Sequence, residues 1–206
     1  DLNKQYTFED GILDMCENIL KKLDEDFLSV NQDTSIINTS DLWHSWTTLR
    51  AKNNYLYLEE ANLQEHADLG FGAQWELEKS KELKTEDLMV AFSQRDECKK
   101  TADELFSKYD FLAMPSAQVF PFEKEKDYPK KISDKNMDSY HRWMEVVTFS
   151  SLLGLPSISI PVGFSKLGLP MGMQIIGKKG NDLNVVAFAK KYEEIFNHST
   201  NRPNGF

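Results

Sequence analysis

Four histidines, His44, His66, His141 and His198, are the side chains best suited to proton transfer or zinc binding near neutral pH. No two of them stand at the i, i+4 spacing with neighbouring acids that a helical metal site requires, so the sequence assigns no metal. Serine chemistry needs a hydroxyl on a sharp, glycine-flanked turn beside a base, and the nearest serine pair, Ser150-Ser151, falls inside a predicted helix with no flanking glycine. No catalytic residue is therefore assigned. Gly168-Leu169-Pro170-Met171-Gly172 carries proline where a phosphate-binding loop needs a free backbone N–H, and no cofactor is indicated.

What remains is a binding wall. Met114, Pro115, Ser116 and Gln118 close and follow a short apolar run, Phe111-Leu112-Ala113-Met114, that reads as a buried strand. Open α/β sheets take their ligands beyond strand ends, which makes these four candidates for a substrate pocket.

The elements that must position them follow from periodicity. Apolar residues at Ile12, Cys16, Ile19, Leu23 and Phe27 predict a helix within Phe8 to Leu28, with Thr7 and Asp10 as its cap. A second helix, capped by Thr39 or Ser40, carries Leu42, Trp43, Trp46, Leu49 and Leu56. Gly70-Phe71-Gly72 interrupts the pattern, and the charged stretch Trp75 to Leu83 reads as an exposed connecting helix or loop. From Thr85 to Lys108 a helix places Leu88, Phe92, Arg95, Cys98, Ala102 and Leu105 or Phe106 on one side. Phe120 to Asn136 reads as a long surface loop and Asp138 to Leu153 as a helix, stopped by Gly154 and Pro156. Two strands, Ser157 to Ile160 and Met171 to Ile176, return on each other through the turn Gly163 to Gly168. A closing helix, Asp182 to Phe196, buries Val185, Phe188, Ala189, Tyr192 and Phe196 against the sheet. The fold class is α/β, a mixed β-sheet covered by helices.

Three blocks carry a resemblance: Tyr109 to Ala117; Leu152-Leu153-Gly154-Leu155-Pro156-Ser157-Ile158-Ser159-Ile160-Pro161-Val162-Gly163; and Gly168-Leu169-Pro170-Met171-Gly172-Met173-Gln174-Ile175-Ile176-Gly177. In order and spacing, with Asp182 and the helix of Tyr192-Glu193 behind them, they resemble the C-terminal third of amidase signature enzymes. The resemblance implies the C-terminal portion of that fold, as one domain over 1–206: a variable helical region (1–84), a sheet-forming region (85–197) and a tail (198–206). It implies hydrolysis of carboxylic amides by the full-length protein. The family's Ser-Ser-Lys groups lie in an N-terminal half whose Gly-Gly-Ser-Ser-Gly-Gly loop this chain lacks, so the chain alone is expected to be inactive. It also implies that Trp143, Met144 and Val147 line the acyl side of the pocket, although apolar residues at helical spacing are as readily core. The alternatives are a catalytically empty scaffold and the A-type glutaminase component of an amidotransferase.

Composition sets the remaining bounds. With 40% hydrophobic residues, the chain can bury a core. A net charge of -9, and lysine pairs interleaved with acids, argue against nucleic acid as a partner. No apolar run reaches a membrane span, and Cys16 and Cys98 read as reduced core thiols of a cytosolic protein. The sequence opens without Met and close to a helix, which reads as the start of a piece of a longer protein. Such a piece is expected to expose apolar surface and to form homo-oligomers, with a small-molecule amide as the substrate of the whole.

Overall fold

The structure, a computed structural model, describes residues 5–26, 28–33, 37–61 and 69–200. Phe27, His66 and the tail from residue 201 lie outside the described residues. The chain divides into two compact units, Asp1–Ile36 with Glu104–Phe206, and Ile37–Asp103.

The first unit holds α1 (Ile12–Asp26) and, after the last turn of α4 (Thr85–Phe106), the strands β1 (Phe111–Pro115), β2 (Lys131–Ile132) and β3 (Lys135–Asn136). A 3-10 helix (Arg142–Val147) leads into α5 (Thr148–Leu153), followed by β4 (Ser157–Phe164), β5 (Pro170–Gly177) and α6 (Asp182–Phe196). The sheet order is β1-β5-β4 and both pairings are antiparallel, so β1 and β4 run parallel on either side of β5 without touching as strands. The α/β class and the β4–β5 return stand as read.

Helices α1 and α6 cover one face of this sheet. Phe188 of α6 meets Phe111 of β1 at 5.1 Å between ring centroids, and the Tyr192 hydroxyl donates to Pro161 O at 2.5 Å. Gly177 lets α6 approach, because a Cβ there would lie 2.6 Å from Val185 Cγ2. Burial pushes the Cys16 thiol up to about 12. Cys16 and Cys98 are both buried and free, as expected of core thiols.

Several local readings are corrected. Helix α1 starts only at Ile12, behind Gly11 at φ 91, because the carbonyls of Thr7 and Phe8 are taken by Gln118 Nε2 (3.0 Å) and Ser133 Oγ (3.2 Å). Between Phe120 and Asn136 the supposed loop contains the β2–β3 hairpin, pinned by fully buried Ile132. Pro161 does not end a buried strand: β4 runs on to Phe164 through an irregularity at Pro161/Gly163, and an edge strand tolerates proline. The stretch Asp138 to Leu153 is not one α-helix but a 3-10 helix with Met144 at φ -110 and ψ 18, then α5, ended as expected by Gly154 at φ 62.

The second unit is helical: α2 (Thr39–Glu60), α3 (Phe71–Glu82) and most of α4. Asn38, not Thr39 or Ser40, caps α2, its side chain accepting from Asp41 N at 3.1 Å. Leu58 is buried, whereas Leu56 is 46% exposed. Helix α3 buries Glu76, Leu77 and Ser80 rather than lying exposed, with Arg50 neutralising Glu76 at 2.7 Å. On α4 the buried seat belongs to Ala91, and Phe92 is 45% exposed under the Arg95 guanidinium. No helix of the described residues is long and apolar enough to cross a membrane.

The close approach of α6 gives a stability test. Gly177→Ala is expected to cost about 1 to 3 kcal/mol by overpacking against Val185. Combined with Val185→Ala, the loss read by thermal melting should fall below the sum of the two single losses. Additive losses would mean that the tight contact is not what limits the site.

Candidate functional site

The segment after β1 is built from the backbone outward. Met114 and Pro115 are buried in the last positions of β1, and Ser116 N–H continues the ladder by donating to Gly172 O at 2.9 Å. Two residues later, Gln118 is 2% exposed and both ends of its side-chain amide are engaged: Nε2 reaches Thr7 O and Oε1 accepts Val146 N–H at 3.1 Å, while its backbone carbonyl takes Glu9 N–H (2.9 Å). Its mirror partner is Gln174 of β5, 4% exposed, whose Nε2 donates to both Pro115 O and Val146 O at 3.1 Å. Ser150 Oγ donates to Gln174 Oε1 at 3.4 Å. The two amides take the N–H and C=O of Val146 away from any helical ladder, which accounts for the 3-10 segment and the distortion at Met144.

The same segment carries Trp143 and Val147. Trp143 is half-buried on a small cluster of Val119, Ile132 and Met137, edge-on to Phe122 at 5.5 Å and 87°, with Nε1–H donating to Tyr140 O at 2.9 Å. Met144 and Val147 are half-buried. Arg142 clamps the segment, donating to both carboxylate oxygens of Asp138 (2.9 and 2.7 Å) and to Glu145 Oε1 at 3.0 Å. Hydrogen bonding from Arg142 holds the Asp138 carboxyl below its usual range, whereas desolvation pushes that of Glu145 up.

Two clefts open in this unit. One, of about 1560 Å³, lies between the start of α1, the 120–131 segment and the β4–β5 turn, where Phe120, Phe122, Tyr128, Phe164 and Leu169 supply apolar wall and Asp10, Asp14 and Lys166 supply charge. The other, of about 370 Å³, is lined by Met114 and Pro115 together with Phe8, Leu20, Lys21 and Asp24. Of the seven residues singled out from the sequence, the structure brings Met114, Pro115, Ser116 and Gln118 together at the end of β1. Trp143 reaches the larger cleft only by backing Phe122. Sequence reasoning missed Gln174 and also Ser159, whose Oγ lies 2.7 Å from that of Ser116. The first is a polar residue amid five apolar ones in β5, which was the available signal; the second gave none. Among the described residues no group of three His, Cys, Asp or Glu is placed to hold a metal.

Comparison with known proteins adds a family. The sequence model of the family described as Amidase matches residues 33–186. A fatty acid amide hydrolase of Oryza sativa subsp. japonica is 33% identical over 104 residues, 50% of this chain and 17% of that protein. A Glutamyl-tRNA(Gln) amidotransferase subunit of Thermodesulfovibrio yellowstonii is 36% identical over 98 residues, 47% of this chain and 19% of that protein. Among solved structures, a bacterial aryl acylamidase of the amidase signature enzymes superposes with a TM-score of 0.77 at 18% identity, over 96% of this chain and 44% of that one. A 6-aminohexanoate cyclic dimer hydrolase does so with a TM-score of 0.77 at 15% identity, over 98% and 45%. The chain thus spans less than half the length of these solved relatives.

Gln174 offers the test of this arrangement. Gln174→Leu keeps the volume but leaves Pro115 O and Val146 O without their donor, at an expected cost of about 2 to 4 kcal/mol. Chemical denaturation should show the lower midpoint, and an unchanged midpoint would mean that the two carbonyls find other donors.

Proposed function

This chain belongs to the Amidase family of amidase signature proteins, and we propose that it is the C-terminal portion of an amide hydrolase, supplying sheet and pocket wall while the remainder of the protein supplies the catalytic groups. The observation that carries this reading is the coincidence of motif and architecture. The three sequence blocks fall on β1, the α5–β4 corner and β5, the strands of one sheet. The reaction proposed is carboxylic amide plus water giving carboxylate and ammonia or an amine. Met114, Pro115, Ser116 and Gln118 at the strand end, with Trp143, Met144 and Val147 on the adjoining segment, form the proposed wall. Gln118 contributes by holding Val146 and the residues before α1, because its side-chain Nε2 and Oε1 each bond to them.

The glutaminase component of an amidotransferase is the second reading, favoured by the 36% identity to the Thermodesulfovibrio yellowstonii protein. Against it, Arg142, the cation next to Trp143 in the 3-10 segment, is committed to Asp138 and Glu145. Ammonia release from glutamine that appears only with a partner protein would support it.

The main test is direct. The full-length product of the gene encoding this chain is expected to release ammonia from simple carboxamides, and the chain alone to release none. Activity in the chain alone would overturn the assignment of the catalytic groups to the remainder.

Trp143→Ala separates wall from core in the full-length protein. A pocket role predicts a changed ratio of rates on a short and a bulky amide, worth about 1 to 3 kcal/mol per methylene-sized change. A purely packing role on the Val119, Ile132 and Met137 cluster predicts about 3 to 5 kcal/mol of lost stability at an unchanged ratio. We expect the first, with a smaller fall in melting temperature alongside it.

A further inference from the structure

Strands that flank a third lie about 10 Å apart, too far for short side chains to meet. Ser116, just beyond β1, and Ser159 of β4 nevertheless come within 2.7 Å, Oγ to Oγ, across β5. They meet because the residue between them is Gly172. A Cβ at that position would stand 2.7 Å from Ser159 Oγ and 3.0 Å from Ser116 Oγ. On this side of the sheet, Ser159 and Pro161 of β4 are exposed, whereas Met114 and Gln174 beside them are buried. The hydroxyl pair therefore stands where the covered part of the sheet gives way to an open part.

Two hydroxyls have two protons between them, and one is used within the pair. Among the described residues neither Oγ has another partner, so the pair presents one O–H donor and free lone pairs outward. An exposed hydroxyl pair adds little to stability, and glycine in the middle of a strand weakens it. A sheet under selection for stability alone would fill this position. We propose that Ser116 and Ser159, joined across Gly172, form a binding site for a carboxamide group. The carbonyl oxygen accepts the free O–H, and the amide N–H donates to a hydroxyl lone pair. The choice of ligand rests on the amide-hydrolase reading; the site itself rests on the geometry. Ser159 is then a binding residue that acts together with Ser116.

The experiment uses the isotopically labelled chain and benzamide as the probe, followed by backbone amide shifts. Benzamide is expected to move the amides of Ser116, Ser159 and Gly172 with a dissociation constant on the order of 10 mM, as befits so small a ligand. Ser116→Ala and Ser159→Ala should each weaken binding about tenfold. Ser159→Thr, which keeps the hydroxyl and suits a strand, should restore it. Circular dichroism of each variant checks that the sheet persists. An absence of shifts at concentrations several-fold above that constant, or shifts unchanged in both alanine variants, overturns the proposal. Ammonia release by the full-length product is scored separately. Activity without the benzamide shifts sinks this site and leaves the hydrolase reading, and shifts without activity do the reverse.

Discussion

Val146 holds the first unit together by giving its backbone to side chains instead of to a helix. Its N–H goes to Gln118 and its carbonyl to Gln174, two amides that are almost wholly buried. Burying an amide is unfavourable unless it is satisfied, and each here finds partners on separate segments. Gln118 joins Thr7, ahead of α1, to the 3-10 segment, and Gln174 joins the end of β1 to the same segment from the neighbouring strand β5. A helix through residues 142–147 would need the groups these amides occupy. The 3-10 geometry is therefore a consequence of the two glutamines, and it aims Trp143 at the Val119, Ile132 and Met137 cluster.

Much of the sheet was legible because strands announce themselves by short apolar runs and by the glycines and prolines that end them. Gly154 and Pro156 marked the end of α5, and Gly168 marked the return from β4 to β5. What sequence could not supply was long-range capture of backbone groups. Thr7 and Asp10 look like a cap by spacing, yet Thr7 faces Gln118, a residue 111 positions away. Likewise Asp138 to Leu153 has the periodicity of one helix, and only partners 28 residues away from Val146 in either direction decide otherwise. In α3 only the exposure was misread, for an electrostatic reason: a charged stretch reads as exposed, whereas the Arg50 to Glu76 pair permits one of its acids to be 1% exposed.

The candidate site divides the same way. Residues at the end of β1 could be picked out because a strand end is a local feature. Gln118 was picked for its polarity in that position, and its polarity turns out to be spent on structure. Ser159 lies among alternating polar and apolar residues of an edge strand, where a serine signals nothing beyond its outward face. It acquires meaning only through Gly172 of β5 and Ser116 just beyond β1. A glycine in a strand is a sign of close approach, but the identity of what approaches is written elsewhere in the chain.

Arg142 favours ionisation of two acids, yet the two end up shifted in opposite directions. Its guanidinium bonds Asp138, whose side chain is 61% exposed, and Glu145, whose side chain is 5% exposed. For Asp138 the water lost on folding is small, so the hydrogen bonds from Arg142 dominate and the acid ionises more readily. For Glu145 desolvation outweighs the same neighbour, and the acid ionises less readily. The unequal result follows from position. Asp138 precedes the 3-10 segment at the surface, and Glu145 lies within it against the core. The clamp thus ties the outer end of the segment while its inner carboxyl is desolvated, and one residue later Val146 is held by Gln118 and Gln174. Charge at one end and two satisfied amides at the other hold the same six residues, and the proposed pocket wall is carried on them.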